Sequence, residues 1–317
     1  MRGWWHDLTD LVLPADCAGC GAPRTALCPR CRAALDGAAA RRARPAPEPA
    51  GLPAVYAVAP YADEVRALLL AHKERGALAL AGALGTALAG AARAGLDGQG
   101  AAVGPAGRPG AGRGAAVGSA GRPGAGRGAG VGTAGWSWRG PVLLVPVPSA
   151  RWAVRARGHD PVRRMALAAA GELRRTGTPA RVAAVLRQRR AVADQAGLDA
   201  RRRLENVAGA LEVAAGGARL LGAGPVVLVD DLMTTGATLA EAARALREAT
   251  VSRRDGGPLV YAAVTREGRE ERRIGARTEW TEWMHSAPEM AVPNALGQVL
   301  HAAVIAAPLD SLEITRN

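Results

Sequence analysis

Residues 225–250 read PVVLVDDLMTTGATLAEAARALREAT, and the rest of the chain is arranged around them. Pro225 to Val229 is a short, Val-rich apolar run, the pattern of a strand buried on both faces as in a parallel sheet. Leu239, Ala242, Ala243 and Leu246 fall on one face of a helix spanning Leu239 to Ala249. Between them lie two adjacent carboxylates, Asp230 and Asp231, and a hydroxyl-rich loop, Thr234-Thr235-Gly236-Ala237-Thr238. A loop entering a helix N-terminus presents unpaired backbone N–H groups and the positive end of the helix dipole. Gly236 lets the backbone approach a ligand, and the threonines add hydroxyl donors. Such a loop cradles a phosphate. Carboxylates at the C-terminal end of a strand, where ligands of open α/β sheets bind, accept hydrogen bonds from sugar hydroxyls or help to position a metal ion. A phosphate at one end and a polyol at the other suits a sugar phosphate.

The string V-V-L-V-D-D-x-x-T-T-G-A-T resembles the phosphoribosyl-pyrophosphate-binding motif of type I phosphoribosyltransferases. The rival phosphate loop, G-x-x-x-x-G-K-[ST], is absent, which argues against a nucleoside triphosphatase.

The chain has 317 residues, enough for one sizeable core and a small module. Apolar residues make up 49% and Phe is absent, so the core must be built from Ala, Val and Leu. The net charge is +13, and most of it is concentrated: Arg139 to Arg203 contains 15 Arg against Asp160, Glu172, Asp194 and Asp199. Arg suits bidentate phosphate recognition, while a solvated basic surface is the bland alternative. Lys73 is the only lysine. It could reach a phosphate, although a lone lysine is more often a surface charge. No run of ~18 apolar residues predicts a membrane span, and the N-terminus with Asp7 and Asp10 is a poor signal peptide. A cytoplasmic protein is the expectation.

All four cysteines, Cys17, Cys20, Cys28 and Cys31, lie in one C-x-x-C…C-x-x-C window. In a reducing compartment that spacing predicts a closed, structural tetrahedral zinc site, with redox-active cysteines as the main alternative. Trp4, Trp5, Leu8, Leu11 and Val12 suggest a short helix before it, and residues 37–50 read as a linker.

Ala54 to Ala59 predicts a strand, Asp63 to Leu70 a helix, and Leu78 to Ala92 a second helix. His72 has no sequence partner for catalysis. Residues 101–114, 115–128 and a partial third copy form a 14-residue Gly/Ala/Pro/Arg repeat. It has too few large apolar groups to offset ordering entropy, so 99–139 reads as a disordered insert. Val142 to Val147 predicts another buried strand. It runs into Pro148-Ser149-Ala150-Arg151 and then Arg155, Arg157 and Gly158, a candidate pyrophosphate loop. A helix follows from about Val162 to Arg175. Gln195, Leu198, Arg203 and Asn206 lie in a polar segment, Arg187 to Asn206, expected to be a mobile basic loop that closes over a charged ligand. Leu211 to Val213 predicts a strand. In the tail, Trp280 and Trp283 stand three residues apart, and Asn294 to Ala307 reads as an apolar helix.

Taken in order, L-P-x-x-C-x-x-C-G, V-P-V-P-S followed by R-x-R-G, Q-x-x-L-x-x-x-x-R-x-x-N and V-D-D-x-x-T-T-G-A-T are similar to the ComF family, several of whose members are associated with DNA uptake in natural competence. The similarity covers about residues 8–36, 51–98 and 140–265. It implies an α/β, type I phosphoribosyltransferase-like parallel sheet over 51–265, flanked by helices, after a zinc-knuckle module over 1–36. The tail, 266–317, has no implied role. Asp230 and Asp231 would meet the ribose, Thr234 to Thr238 the 5′-phosphate, and Arg157-Gly158 would belong to the region after the pyrophosphate loop. Phosphoribosyl pyrophosphate with Mg²⁺ would be the ligand. Single-stranded DNA, a second copy of the chain or a competence protein are the other partners considered. His159-Asp160-Pro161 stands where the family often has an aromatic residue, Asn and Gln, so the following helix is expected to start differently. Thr234 stands where 6-oxopurine transferases carry an Asp general base, which argues against that kind of purine salvage.

Overall fold

The computed structural model describes residues 16–36, 39–102, 140–192, 199–222, 224–254 and 300–313. The helix expected around Trp4 and Trp5, the repeat from residue 103 onward, Gln195 and Leu198, and the Trp280/Trp283 pair lie outside these residues.

A six-stranded sheet carries the fold. Its strands are β1 (Arg41–Ala43), β2 (Ala54–Pro60), β3 (Val142–Pro146), β4 (Ala180–Val182), β7 (Val226–Leu232) and β8 (Leu300–Ala307). They are arranged in the order β1-β2-β8-β7-β3-β4. All neighbours are parallel except β1 and β2. A separate antiparallel pair joins β5 (Leu186–Gln188) to β6 (Leu211–Val213). The helices are α1 (Pro29–Asp36), α2 (Asp63–Glu74), α3 (Ala81–Ala102), α4 (Arg151–Arg157), α5 (Pro161–Arg175), α6 (Ala200–Val207) and α7 (Ala237–Arg254).

Strand alternation sorts the core onto two faces. Leu144, Val227 and Val229 pack with α2, α3 and α5, whereas Val145, Val226 and Leu228 pack with α7. The cysteine segment belongs to the first layer: Cys17, Cys28, Cys31 and Leu35 share an apolar cluster with α2 and α3. The segment Leu78–Gly98 is long and apolar enough to cross a membrane by length and mean hydropathy, 1.3, but 56% of it is buried. Its apolar face is taken up by α5, β2 and β8.

Three expectations are corrected. The apolar tail forms a strand, β8, not a helix. All eight of its residues are buried, seven of them apolar, and when both faces are buried neither the 3.6 nor the 2.0 period shows in the sequence. Because β8 sits between β2 and β7, the sheet takes a strand from the segment set apart as an extension. The linker contributes an edge strand, β1, whose ladder with β2 uses backbone groups that composition does not reveal. The Arg187–Asn206 segment holds part of β5 and most of α6, with Asp199 accepting from the Arg202 N–H at 2.8 Å as an N-cap.

His301 lies inside β8, wholly buried. Its Nε2 is 3.1 Å from the Ala92 carbonyl of α3, and its Nδ1 is buried without a hydrogen-bond partner. Gly95 allows this approach, since a Cβ there would fall 2.2 Å from the imidazole. Burial lowers the His301 pKa to about 4. The unfolded chain therefore binds the extra proton from about pH 6.5 downward while the fold resists it, and stability falls as pH drops through that window. The full cost is about 3 kcal/mol. Chemical denaturation of wild type and His301→Leu between pH 7 and 4.5 should show wild type losing about 2–3 kcal/mol more. Parallel curves would contradict it.

Candidate functional site

Strands β3 and β7 are neighbours that run in the same direction, so their C-terminal ends open on one edge. From β3 the chain moves outward to β4 through α4 and then α5, which packs on one face. From β7 it moves the opposite way to β8 through α7 on the other face. Right-handed crossovers in opposite directions require opposite faces. The two loops therefore diverge and leave a crevice between them, the place where open α/β sheets bind ligands.

A cleft of about 760 Å³ occupies this place. Of the residues singled out from the sequence, Pro148, Ser149, Arg157, Arg203, Asp230, Asp231, Thr234 and Thr238 line it. Arg151, Thr235, Gly236, Ala237 and Asn206 do not contribute to its wall, and Gln195 is outside the described residues.

Each wall has a local cause. Thr234 to Gly236 form the bend between β7 and α7, and Gly236 takes φ +75°, where an L side chain is strained. A Cβ there would also lie 3.0 Å from Leu52. This turn brings Thr238, in the first turn of α7, to the cleft. On the β3 side, Asp160 organises the loop. Its carboxylate accepts from the Arg163 N–H at 3.1 Å, capping α5, and from the Ser149 hydroxyl at 3.3 Å. Pro161 occupies the first helical turn. His159-Asp160-Pro161 thus starts a helix, by an Asp cap with a following proline. Gly158 ends α4 in the left-handed region, φ +75°.

The charges are paired across elements. Lys73, near the end of α2, reaches Asp231 Oδ2 at 2.8 Å. Arg157 forks onto Glu74 with bonds of 3.0 and 3.2 Å. Asp231 is 6% exposed, and its N–H donates to Asp230 Oδ1 at 2.8 Å. Burial, and then the charge of Asp231, push the Asp230 carboxyl well above the usual carboxylate range. Burial works against the Lys73 ammonium, but Asp231 and Asp230 outweigh it and raise its pKa. The site thus holds a carboxylate pair under repulsion, relieved in part by one lysine. Perturbed carboxylates in a cleft mark a functional site more often than chance.

The cover comes from the small sheet and α6, through Gln188, Leu211, Val207 and Arg203. Glu241, fully buried on α7, holds this cover in place: it accepts from the Leu211 N–H at 3.0 Å and from Arg244 at 2.8 and 2.9 Å.

Sequence reasoning allowed Lys73 a phosphate contact but favoured a surface charge, and it missed Trp152, Gln188, Val192 and Leu211. The signal for Lys73 was its uniqueness in an arginine-rich chain. For the others no spacing pointed to the cleft.

The four cysteines form a second site. Their sulfur atoms all lie within 4.8 Å of one another, and Cys17, Cys28 and Cys31 are buried. Tetrahedral zinc with bonds of about 2.3 Å needs sulfurs about 3.8 Å apart, so the set fits a zinc ion held by four thiolates. The Cys28 N–H points to Cys17 Sγ at 3.3 Å. Burial opposes ionisation of Cys17, yet donation from Cys28, Cys20 and Gly19 overcomes it and lowers the thiol to about 6. Burial pushes the Cys31 thiol up, so a cation is required before all four ionise together. Among the described residues this is the only cluster of three or more metal-ligating side chains.

Comparison with profiles of known protein families gives no match. Comparison with curated proteins gives none either.

Proposed function

We propose that this chain is a phosphoribosyltransferase-like protein of the ComF kind, binding phosphoribosyl pyrophosphate or a similar sugar phosphate between β3 and β7. One observation carries the proposal: the Asp230–Asp231 pair, Thr234, Thr238, Ser149 and Arg157 come from two diverging loops yet line the same cleft. Asp230 and Asp231 accept from the ribose hydroxyls. The α7 N-terminus, with Thr234 and Thr238, receives the 5′-phosphate. Ser149 and Arg157 receive the pyrophosphate, and Lys73 lies close enough to Asp231 to turn from the carboxylate to the bound anion.

Transfer would form a bond from an acceptor nucleophile to the anomeric carbon as the bond to pyrophosphate oxygen breaks, its electron pair leaving with pyrophosphate. Arg157 and Lys73 would stabilise that charge. Mg²⁺ carried in with the pyrophosphate would neutralise part of it, with Asp230 and Asp231 as the carboxylates available to it.

A second reading is a non-catalytic module for phosphorylated ligands or single-stranded DNA. It is favoured by the exposed Arg151, Arg155, Arg201 and Arg202 and would show a steep loss of DNA affinity with salt.

Calorimetry of the full chain with phosphoribosyl pyrophosphate and Mg²⁺ should give saturable one-to-one binding. Absence of binding up to millimolar ligand would sink the proposal. Pyrophosphate release with candidate acceptors then separates enzyme from sensor.

A further inference from the structure

The lining of the cleft divides by chemistry. Lys73, Asp230, Asp231, Thr234 and Thr238 are charged or hydroxylic, which a sugar phosphate uses. Trp152, Ala153, Ala156, Val192, Val207 and Leu211 are apolar, which it does not. Trp152 stands out within this second group. It is the one tryptophan among the described residues, and it is 67% exposed, although Ala153 beside it is buried at 4%. Among the described residues no aromatic ring packs on it. An indole left open to water at the wall of a concave site has its largest apolar area without a partner. Helix α4 fixes its position, because Ala153 anchors one side of that short helix in the core while Gly158 and the Arg157–Glu74 pair hold its end.

Resting on the reading of the cleft as a sugar-phosphate site, we propose that Trp152 is the face on which a flat aromatic ring of the ligand stacks. It thereby sets which sugar phosphates the cleft prefers. The ring lies against indole and the apolar wall, while the phosphate and hydroxyls go to the charged groups. Stacking on an aromatic side chain tolerates many rings, since each has a π-face. The residue therefore selects for a planar aromatic group, not for one base.

The test uses the full chain and two probes sharing a ribose 5-phosphate, one with a ring (adenosine 5′-monophosphate) and one without (ribose 5-phosphate). Calorimetry is run on wild type, Trp152→Ala and Trp152→Phe, with melting temperatures as a check on folding. Wild type should prefer the nucleotide by about tenfold or more. Trp152→Ala should abolish that margin while ribose 5-phosphate affinity stays within about twofold, and Trp152→Phe should keep most of it. A margin unchanged by Trp152→Ala, or an equal loss for both probes, overturns the proposal and leaves the sugar-phosphate site standing. So does ribose 5-phosphate binding with no margin in wild type. If wild type binds neither probe, both fall. A short single-stranded oligonucleotide forms the third arm: loss of its affinity alone in Trp152→Ala would assign the indole to a strand-binding surface and also overturn the proposal.

Discussion

Asp230→Asn combined with Asp231→Asn lowers the affinity of the full chain for phosphoribosyl pyrophosphate with Mg²⁺ by about 100-fold or more. Each charge-assisted hydrogen bond to a ligand hydroxyl is worth about 1.5–3 kcal/mol, and both carboxylates contribute. Stability should move in the other direction or not at all. Asp230 ionises only against burial and the neighbouring charge of Asp231, so its raised pKa is a stability cost that grows as pH rises above the unfolded carboxylate range and vanishes only as pH falls below that range. Asp230→Asn alone removes this cost, and its melting temperature at pH 7 should equal or exceed that of wild type. Asparagine keeps the acceptor for the Asp231 N–H, which Asp230 Oδ1 accepts at 2.8 Å. Gain of stability with loss of binding is the signature of a strained functional site. Calorimetry and thermal melts read the two arms separately. Unchanged ligand affinity in the double variant would remove the carboxylates from the site. A large drop in melting temperature in Asp230→Asn would mean that they serve the fold instead.

The second large effect comes from the cysteines. Purified chain should carry one equivalent of zinc by elemental analysis, and a strong chelator should lower its melting temperature by about 10–20 °C. That corresponds to on the order of 5 kcal/mol for a domain of this size, less than structural zinc gives to an isolated finger. Cys31→Ser should do the same, because Cys31 is fully buried in the main core. Cys20→Ser, at the exposed ligand, should have a smaller effect.

The loss should not stay local. Arg30 of α1 pairs with Glu64 of α2, Arg75 donates to the Ala18 carbonyl at 3.4 Å, and a Cβ on Gly19 would lie 3.3 Å from Leu68. The same α2 carries Lys73 and Glu74 into the cleft. Metal removal should therefore weaken sugar-phosphate binding several-fold at temperatures where the chain remains folded. A metal-free chain with unchanged melting temperature would exclude a structural metal.

Both candidate sites were legible in the sequence because each is local. The carboxylates, threonines and Gly236 lie within nine consecutive residues spanning a strand end, a turn and a helix start, and these elements form where expected. The cysteine spacing likewise sets its own geometry. Val142–Pro146 is readable as a strand for the same reason, being a short branched run followed by prolines.

The missed features depend on contacts far apart in the chain. Lys73 and Asp231 are 158 positions apart, and nothing near Lys73 distinguishes it from a surface charge. Trp152 looks like one apolar residue in an arginine-rich stretch until α4 sets it beside the cleft. Leu300–Ala307 is apolar at every position but His301, with no alternation to mark it, so only pairing between β2 and β7 makes it a strand.

By itself, then, the sequence determined where the candidate groups lie: a cysteine set, a carboxylate pair and a threonine turn, each built from neighbours whose spacing needs no distant partner. Tertiary structure alone decided that the single lysine meets the carboxylates, that Trp152 walls the cleft and that Leu300–Ala307 completes the sheet. Those outcomes depend on the direction of the crossovers on either side of the β3–β7 junction, and a crossover's direction is fixed by packing on the sheet.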